Sequence, residues 1–277
     1  MRTLGRLTIS IKSFYFCKVF FFFVGLILLL VNSTGLLLSL RNPDILTDPD
    51  CQFENDITIN PWKARRALMR RPNEKRDVYL RRATLTVQAA IAHYWFKNED
   101  KYNLRVPFTE NFILNILGHI WKKNFLYYEF SDYNKALERG VGLCSQQVII
   151  LAGFLKENGI ESRIVFIDGH IILIANNDSE WWILDPDYGV VIDKDYREAL
   201  QDLNFIYSTY AKKTGPSIAE SITKIYAKRV WIEFKDIEAY HSVQHTYIIE
   251  KISYILKWIL PVACICSGLL LLKPRKT

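Results

Sequence analysis

Apolar and polar residues follow one another along this chain in distinct rhythms, and each rhythm predicts a different kind of element. Val19 to Leu40 is an almost unbroken apolar run, interrupted only by Asn32, Ser33 and Thr34. At about 22 residues it is long enough to cross a bilayer as a helix. Ile252 to Leu272 is a second such run, with Tyr254 and Trp258 at one boundary, Lys257 able to snorkel and Pro261 placed to kink it. Between them, Val148, Ile149, Leu151, Ala152 and Leu155 recur at three and four, which predicts a helix over 145–158 buried on one face. Gly159 fits the left-handed position just past its end. The rhythm then changes to strand: Ser162 to Ile167, the Asp168-Gly169 turn, His170 to Ala175, a polar turn over 176–179, and Trp181 to Asp185. An Asp-Gly pair between apolar β-branched runs marks a hairpin, so an antiparallel meander is expected after the helix.

The remaining pattern is coarser. Asn60-Pro61 is a cap followed by a first-turn proline and opens a helix to about Arg71. Glu74 to Phe96 and Phe108 to Lys122 read as amphipathic helices, and Asp132 to Arg139 as a short one. Helical runs follow at Lys194 to Lys212 and Ser217 to Arg229, and Trp231 to Glu250 reads as helix continuing into the second apolar run. No repeat and no Gly/Ser-rich or Pro-rich linker divides the central segment. The expected fold is α+β: one domain over 41–251, core about 107–195, with a helical N-terminal part and a helix packed on an antiparallel sheet, flanked by membrane helices over 19–40 and 252–272.

Charge sets the expected orientation. Arg2, Arg6, Lys12 and Lys18 precede the first run and Lys273, Arg275 and Lys276 follow the second, whereas Arg41, Asp44, Asp48 and Asp50 lie beyond the first. Positive flanks stay inside, so the tails 1–18 and 273–277 are expected in the cytoplasm and 41–251 outside it. A cleaved signal peptide, with Phe20 to Val31 as its core and Ser33 to Gly35 near the cleavage site, is the rival reading; apolar character continuing to Leu40 argues against it. The formal charge of +7 is partly carried by the tails, so no nucleic-acid partner is expected. Lys63, Arg65, Arg66, Arg70, Arg71, Lys75, Arg76, Arg81 and Arg82 form a denser basic cluster. It suits anionic lipid or acidic glycan, but a solvated helical face met by Glu74 and Asp77 is the plainer reading.

The candidate chemistry lies between Gly140 and Gly189. Gly140 and Gly142 precede Cys144 at the start of its helix, where unpaired amides and the helix dipole favour an anion. His170 opens one strand and Asp185 closes the next, so an antiparallel register brings both to one end of the sheet. A thiol nucleophile needs a base, and the base needs a partner that fixes its tautomer. Each residue also has an ordinary reading: a small buried cysteine, a satisfied strand histidine, an Asp-Pro exit from a strand. Their shared order and spacing favours the site.

Four sequence features together carry a resemblance: Gly142-Leu143-Cys144, Gly159-Ile160-Glu161-Ser162-Arg163, His170, and Trp181-Trp182-Ile183-Leu184-Asp185-Pro186. Over roughly 50 residues they resemble the transglutaminase-like superfamily of papain-type cysteine enzymes. The resemblance implies a papain/transglutaminase-like fold, Cys144 as nucleophile, His170 as general base and Asp185 as orienting carboxylate. It also implies acyl transfer or hydrolysis of a protein, peptide or other amide substrate through a thioester, since the family includes amide cross-linking enzymes, proteases and deglycosylating amidases. Many members carry an aromatic shortly after the histidine, whereas His170 is followed by Ile171-Ile172-Leu173. The Cys144 amide is the expected oxyanion donor, with Gln146 and Gln147 as side-chain candidates. The alternative is a non-catalytic module on the same fold, holding a partner in an envelope or glycan-assembly complex.

Of the five cysteines, Cys17, Cys264 and Cys266 belong to the apolar runs or their flanks, leaving Cys51 and Cys144 in the central segment. A bridge between these two would oppose catalysis, and an unpaired Cys144 is expected. His241 and His245 are spaced to share a metal on a helix, but Ser242 stands where the zinc-peptidase pattern has glutamate, so no metal is expected. His93 and His119 read as structural residues within helices. Without a phosphate loop, dinucleotide fingerprint or CxxC pair, no cofactor is implied.

Overall fold

The computed structural model describes residues 2–48, 57–93, 104–242 and 246–272. Its helices are α1 (Arg2–Gly35), α2 (Pro43–Thr47), α3 (Pro61–Leu68), α4 (Arg76–Gln88), α5 (Phe112–Ile120), α6 (Lys122–Phe125) and α7 (Tyr133–Arg139). They continue with α8 (Cys144–Glu157), α9 (Tyr196–Ala199), α10 (Leu203–Thr214), α11 (Pro216–Ala227), α12 (Ile237–Ser242) and α13 (Thr246–Leu272). The strands are β1 (Ala92–His93), β2 (Val141–Gly142), β3 (Ser162–Ile167), β4 (His170–Asn177), β5 (Glu180–Asp185), β6 (Val190–Ile192) and β7 (Ile232–Phe234). The chain forms two compact units: Leu40–Leu104 with Glu129–Tyr247, and Met1–Ser39 with Arg105–Tyr128 and Ile248–Thr277.

The first unit is α+β and holds an antiparallel sheet of five strands in the order β6-β5-β4-β3-β7. The expected meander is its centre. Asp168 and Gly169 both take positive φ, 41° and 95°, which closes the β3–β4 hairpin in two residues, with Ile167 opposite His170. β4 is buried from His170 through Ala175, because helices cover both faces. Val165, Ile167, Ile172, Ile174 and Ile183 pack with Ile206, Tyr210, Ile222 and Tyr226 of α10 and α11. On the other side α8 packs on β3 and β4 and α4 on β4 and β5. α8 is buried all along Ser145–Leu155 rather than on one face, because α7, α4, α12 and β2 pack around it as well as the sheet.

Several elements differ from expectation. The helix expected to Phe96 ends at Gln88, and the chain enters β1, which pairs in parallel with β2; residues 94–96 lie outside the described residues. The stretch from Trp231 begins as β7, an edge strand bonded to β3, before α12. Phe108 to Lys122 contains α5 and the start of α6, in the unit of the two long helices rather than with the sheet. Asn60 caps α3 as expected, its side chain accepting from the Lys63 amide at 2.9 Å. Three members of the basic cluster are ion-paired: Arg82 bonds Glu74 at 2.7 Å, Arg81 bonds Asp193 at 2.5 Å and Arg76 bonds Asp178 at 3.2 Å.

In the second unit α1 and α13 run antiparallel. A Cβ on Gly25 would collide with the Pro261 carbonyl, and one on Gly268 would meet Phe22 and the Lys18 carbonyl, so the missing side chains let the backbones approach. Asn32 donates to the Lys257 carbonyl farther along. Lys18–Gly35 and Thr246–Leu269 are both long and apolar enough to cross a membrane, with mean hydropathies of 1.9 and 1.7.

Candidate functional site

Cys144 is the first residue of α8, a half-buried free thiol. The loop before it is held at several points. Ala92 donates to the Gly140 carbonyl at 2.9 Å, and His93 pairs with Gly142 in the β1–β2 ladder. Arg139 is buried and reaches the Val141 carbonyl at 3.2 Å and Gln146 Oε1 at 2.7 Å, with its guanidinium 4.9 Å from the Phe130 ring centre. The Gln146 amide also bonds both main-chain groups of Phe130, donating at 2.9 Å and accepting at 2.8 Å. Gln147 Nε2 donates to Asp187 Oδ1 at 2.6 Å. Both glutamines considered as oxyanion donors are thus buried and engaged in bracing α8, because their side chains leave the first turn on its packed faces.

His170 stands at the hairpin end of β4 and Asp185 at the end of β5, and the antiparallel register brings them together. His170 Nε2 lies 2.8 Å from Asp185 Oδ2, and the Cys144 side chain acts on the same ring electrostatically. Asp185 is fully buried. It is satisfied by Tyr210, whose hydroxyl donates to Oδ2 at 2.7 Å, and by the Asp187 and Tyr188 amides at 3.1 and 3.4 Å from Oδ1. Buried carboxylates persist as anions only when their lone pairs are met in this way.

The electrostatics follow from that packing. Burial pushes the His170 imidazole down, but Asp185 first and Cys144 after it hold it well above the usual histidine value. Tyr210 is raised by burial and by the Asp185 charge, so it stays a neutral O–H donor. Tyr188, its ring 5.5 Å from that of His170, is likewise raised by burial and then by Asp187, Asp185 and Cys144. Next to Cys144, Ser145 donates to the Glu129 carboxylate, and burial raises Glu129.

Two neighbours of the site escaped the sequence. Tyr210 lies on α10, remote in sequence from Asp185 and in no motif. His93, expected inside a helix, sits in β1 with Nδ1 2.5 Å from Asp187 Oδ1, sharing that oxygen with Gln147. The Asp185-Pro186-Asp187 sequence was the available signal, since the second carboxylate follows the first on the same turn. Of the other histidine pair, His245 lies outside the described residues, as does Cys51. His241 is buried against Thr246 at 3.2 Å and pushed down to about 4 by burial. A cavity of about 380 Å³ lined by Tyr133, Lys156, Glu161 and Lys235 lies toward the opposite end of α8 from Cys144. No family model, curated protein or solved structure matches the chain.

Proposed function

We propose that this chain is a membrane-anchored cysteine enzyme of transglutaminase-like type, acting on amide or peptide substrates outside the cytoplasm. The observation that carries the reading is the buried His170 ring, 2.8 Å from the satisfied Asp185 carboxylate and raised in pKa by both Asp185 and Cys144. That order of nucleophile, base and orienting carboxylate is the one acyl transfer needs, and the resemblance read from the sequence assigns the same three residues.

In this reading the Cys144 proton passes to His170 and the thiolate attacks the substrate carbonyl carbon. The oxyanion that forms is met by the Cys144 amide at the first turn of α8, where the helix dipole favours negative charge. His170 then returns the proton to the leaving amine as the C–N bond breaks, giving a thioester on Cys144. Water or an amine, deprotonated by His170, completes hydrolysis or transfer. Asp185 holds the tautomer and stabilises the imidazolium throughout. The antiparallel packing of α1 and α13 fits a two-pass topology with both tails in the cytoplasm, as the flanking charges favour.

The test is the pH dependence of Cys144 alkylation in the full chain, read by peptide mapping, beside His170→Ala. Fast labelling well below the free-thiol value of about 8.5, lost in the variant, is the expected result. An ordinary thiol profile unchanged by His170→Ala would overturn the enzyme reading in favour of a partner-holding module.

A further inference from the structure

Arg105–Tyr128 is the part of the second unit that is neither α1 nor α13, and its anchors all fall at one end of the helix pair. The Thr109 carbonyl packs against Gly35, the last residue of α1, so closely that a Cβ there would collide. Tyr254 donates to Glu110 Oε1 at 2.7 Å and Lys257 Nζ to the Glu110 carbonyl at 2.6 Å. Asn111 Nδ2 donates to Ser253 Oγ at 3.1 Å, and Tyr128 to Glu250 Oε2 at 2.7 Å. Glu110, Asn111, Glu250, Ser253 and Lys257 are all buried by this contact. Elsewhere around α13, over the same turns, Ile248, Ile252, Ile255 and Ile259 are exposed, a continuous apolar stripe. Lys257 lies about 8 Å along the helix from Ile252, at 1.5 Å per residue. An apolar stripe on a membrane helix faces acyl chains, and a segment seated beside it over the same turns shares its depth.

The segment is itself built for that depth. On α5, Leu114 and Gly118 face inward, whereas Ile116 and Ile120, four residues apart, are 47% and 74% exposed. Phe108 and Trp121 extend this apolar surface, and Lys122 and Lys123 follow it, both exposed. Exposed aliphatics beside a tryptophan and lysines are the composition of a helix lying in a membrane interface.

We propose that Arg105–Tyr128 is a third membrane element, an in-plane segment in the leaflet at the Gly35 end of the helix pair. Its Ile116, Ile120 and Trp121 surface lies among phospholipid acyl chains, with Lys122 and Lys123 at the phosphates. The inference rests on the membrane reading of α1 and α13 and is independent of Cys144.

The test is site-specific photocrosslinking of the full chain in phosphatidylethanolamine/phosphatidylglycerol vesicles carrying a tagged phospholipid. p-Benzoylphenylalanine replaces Ile116, Ile120, exposed Phe20 on α1 as insertion control, or Asp178 as aqueous control. Lipid adducts at Ile116 and Ile120 comparable to those at Phe20, and none at Asp178, are expected. Adducts at Phe20 without any at Ile116 and Ile120, or crosslinks from these two to a second copy or another protein, would overturn the proposal. Loss at Phe20 as well would overturn the membrane reading beneath it.

Discussion

Asp185 accepts from four groups, the His170 ring, the Tyr210 hydroxyl and the amides of Asp187 and Tyr188, and that arrangement sets the behaviour of the residues around it. Tyr210→Phe removes one donor to a buried anion while keeping the ring. The expected cost is about 1–3 kcal/mol, read as a lower urea midpoint at neutral pH. His170 supplies a pH prediction. Its folded value lies above the unfolded one, so the imidazolium stabilises the fold fully below about 6.5 and that contribution is lost as pH rises through the folded value. Cys144→Ala removes the sulfur's share of the shift. The His170 midpoint, followed by imidazole NMR, should then move downward but remain defined by Asp185; an unmoved midpoint would mean that thiol and ring do not interact.

Among elements, β4 bears the most, being covered on both faces. Ile174→Ala should cost about 2–5 kcal/mol by denaturant unfolding, since helices on either side leave little room for collapse into the cavity. This strand and its partners were readable because an unbroken apolar run, a two-residue Asp-Gly turn and a polar turn each have a local cause. The same holds for α8, which begins at Cys144 and ends before left-handed Gly159, φ 69°. β7 was not readable: its Ile232 is exposed and the others half-buried, so three residues at a sheet edge leave no alternation to detect. The early end of α4 was hidden for a related reason. Ala89, Ala90 and Ala92 are good helix formers, and only pairing with the remote Val141–Gly142 pulls the chain into β1. At the candidate site, the meeting of His170 and Asp185 was legible through antiparallel spacing, whereas Tyr210 and His93 reach its neighbourhood by tertiary packing alone.

For the whole molecule, the division into units was invisible because the chain passes between them at Leu104 and Tyr128 with no change to linker composition. The antiparallel helix pair makes a topological prediction: epitope tags at either terminus should resist external protease in intact cells, while an insertion at the 176–179 turn is cleaved. Cleavage of one tag alone would exclude the two-pass arrangement. The same antiparallel pairing has an electrical consequence. Each helix carries a macrodipole equivalent to roughly half a charge at either end, and two helices pointing in opposite senses cancel most of it. In the proposed two-pass arrangement the helix dipoles therefore add little to any coupling with the transmembrane voltage, leaving that coupling to full charges such as Lys257.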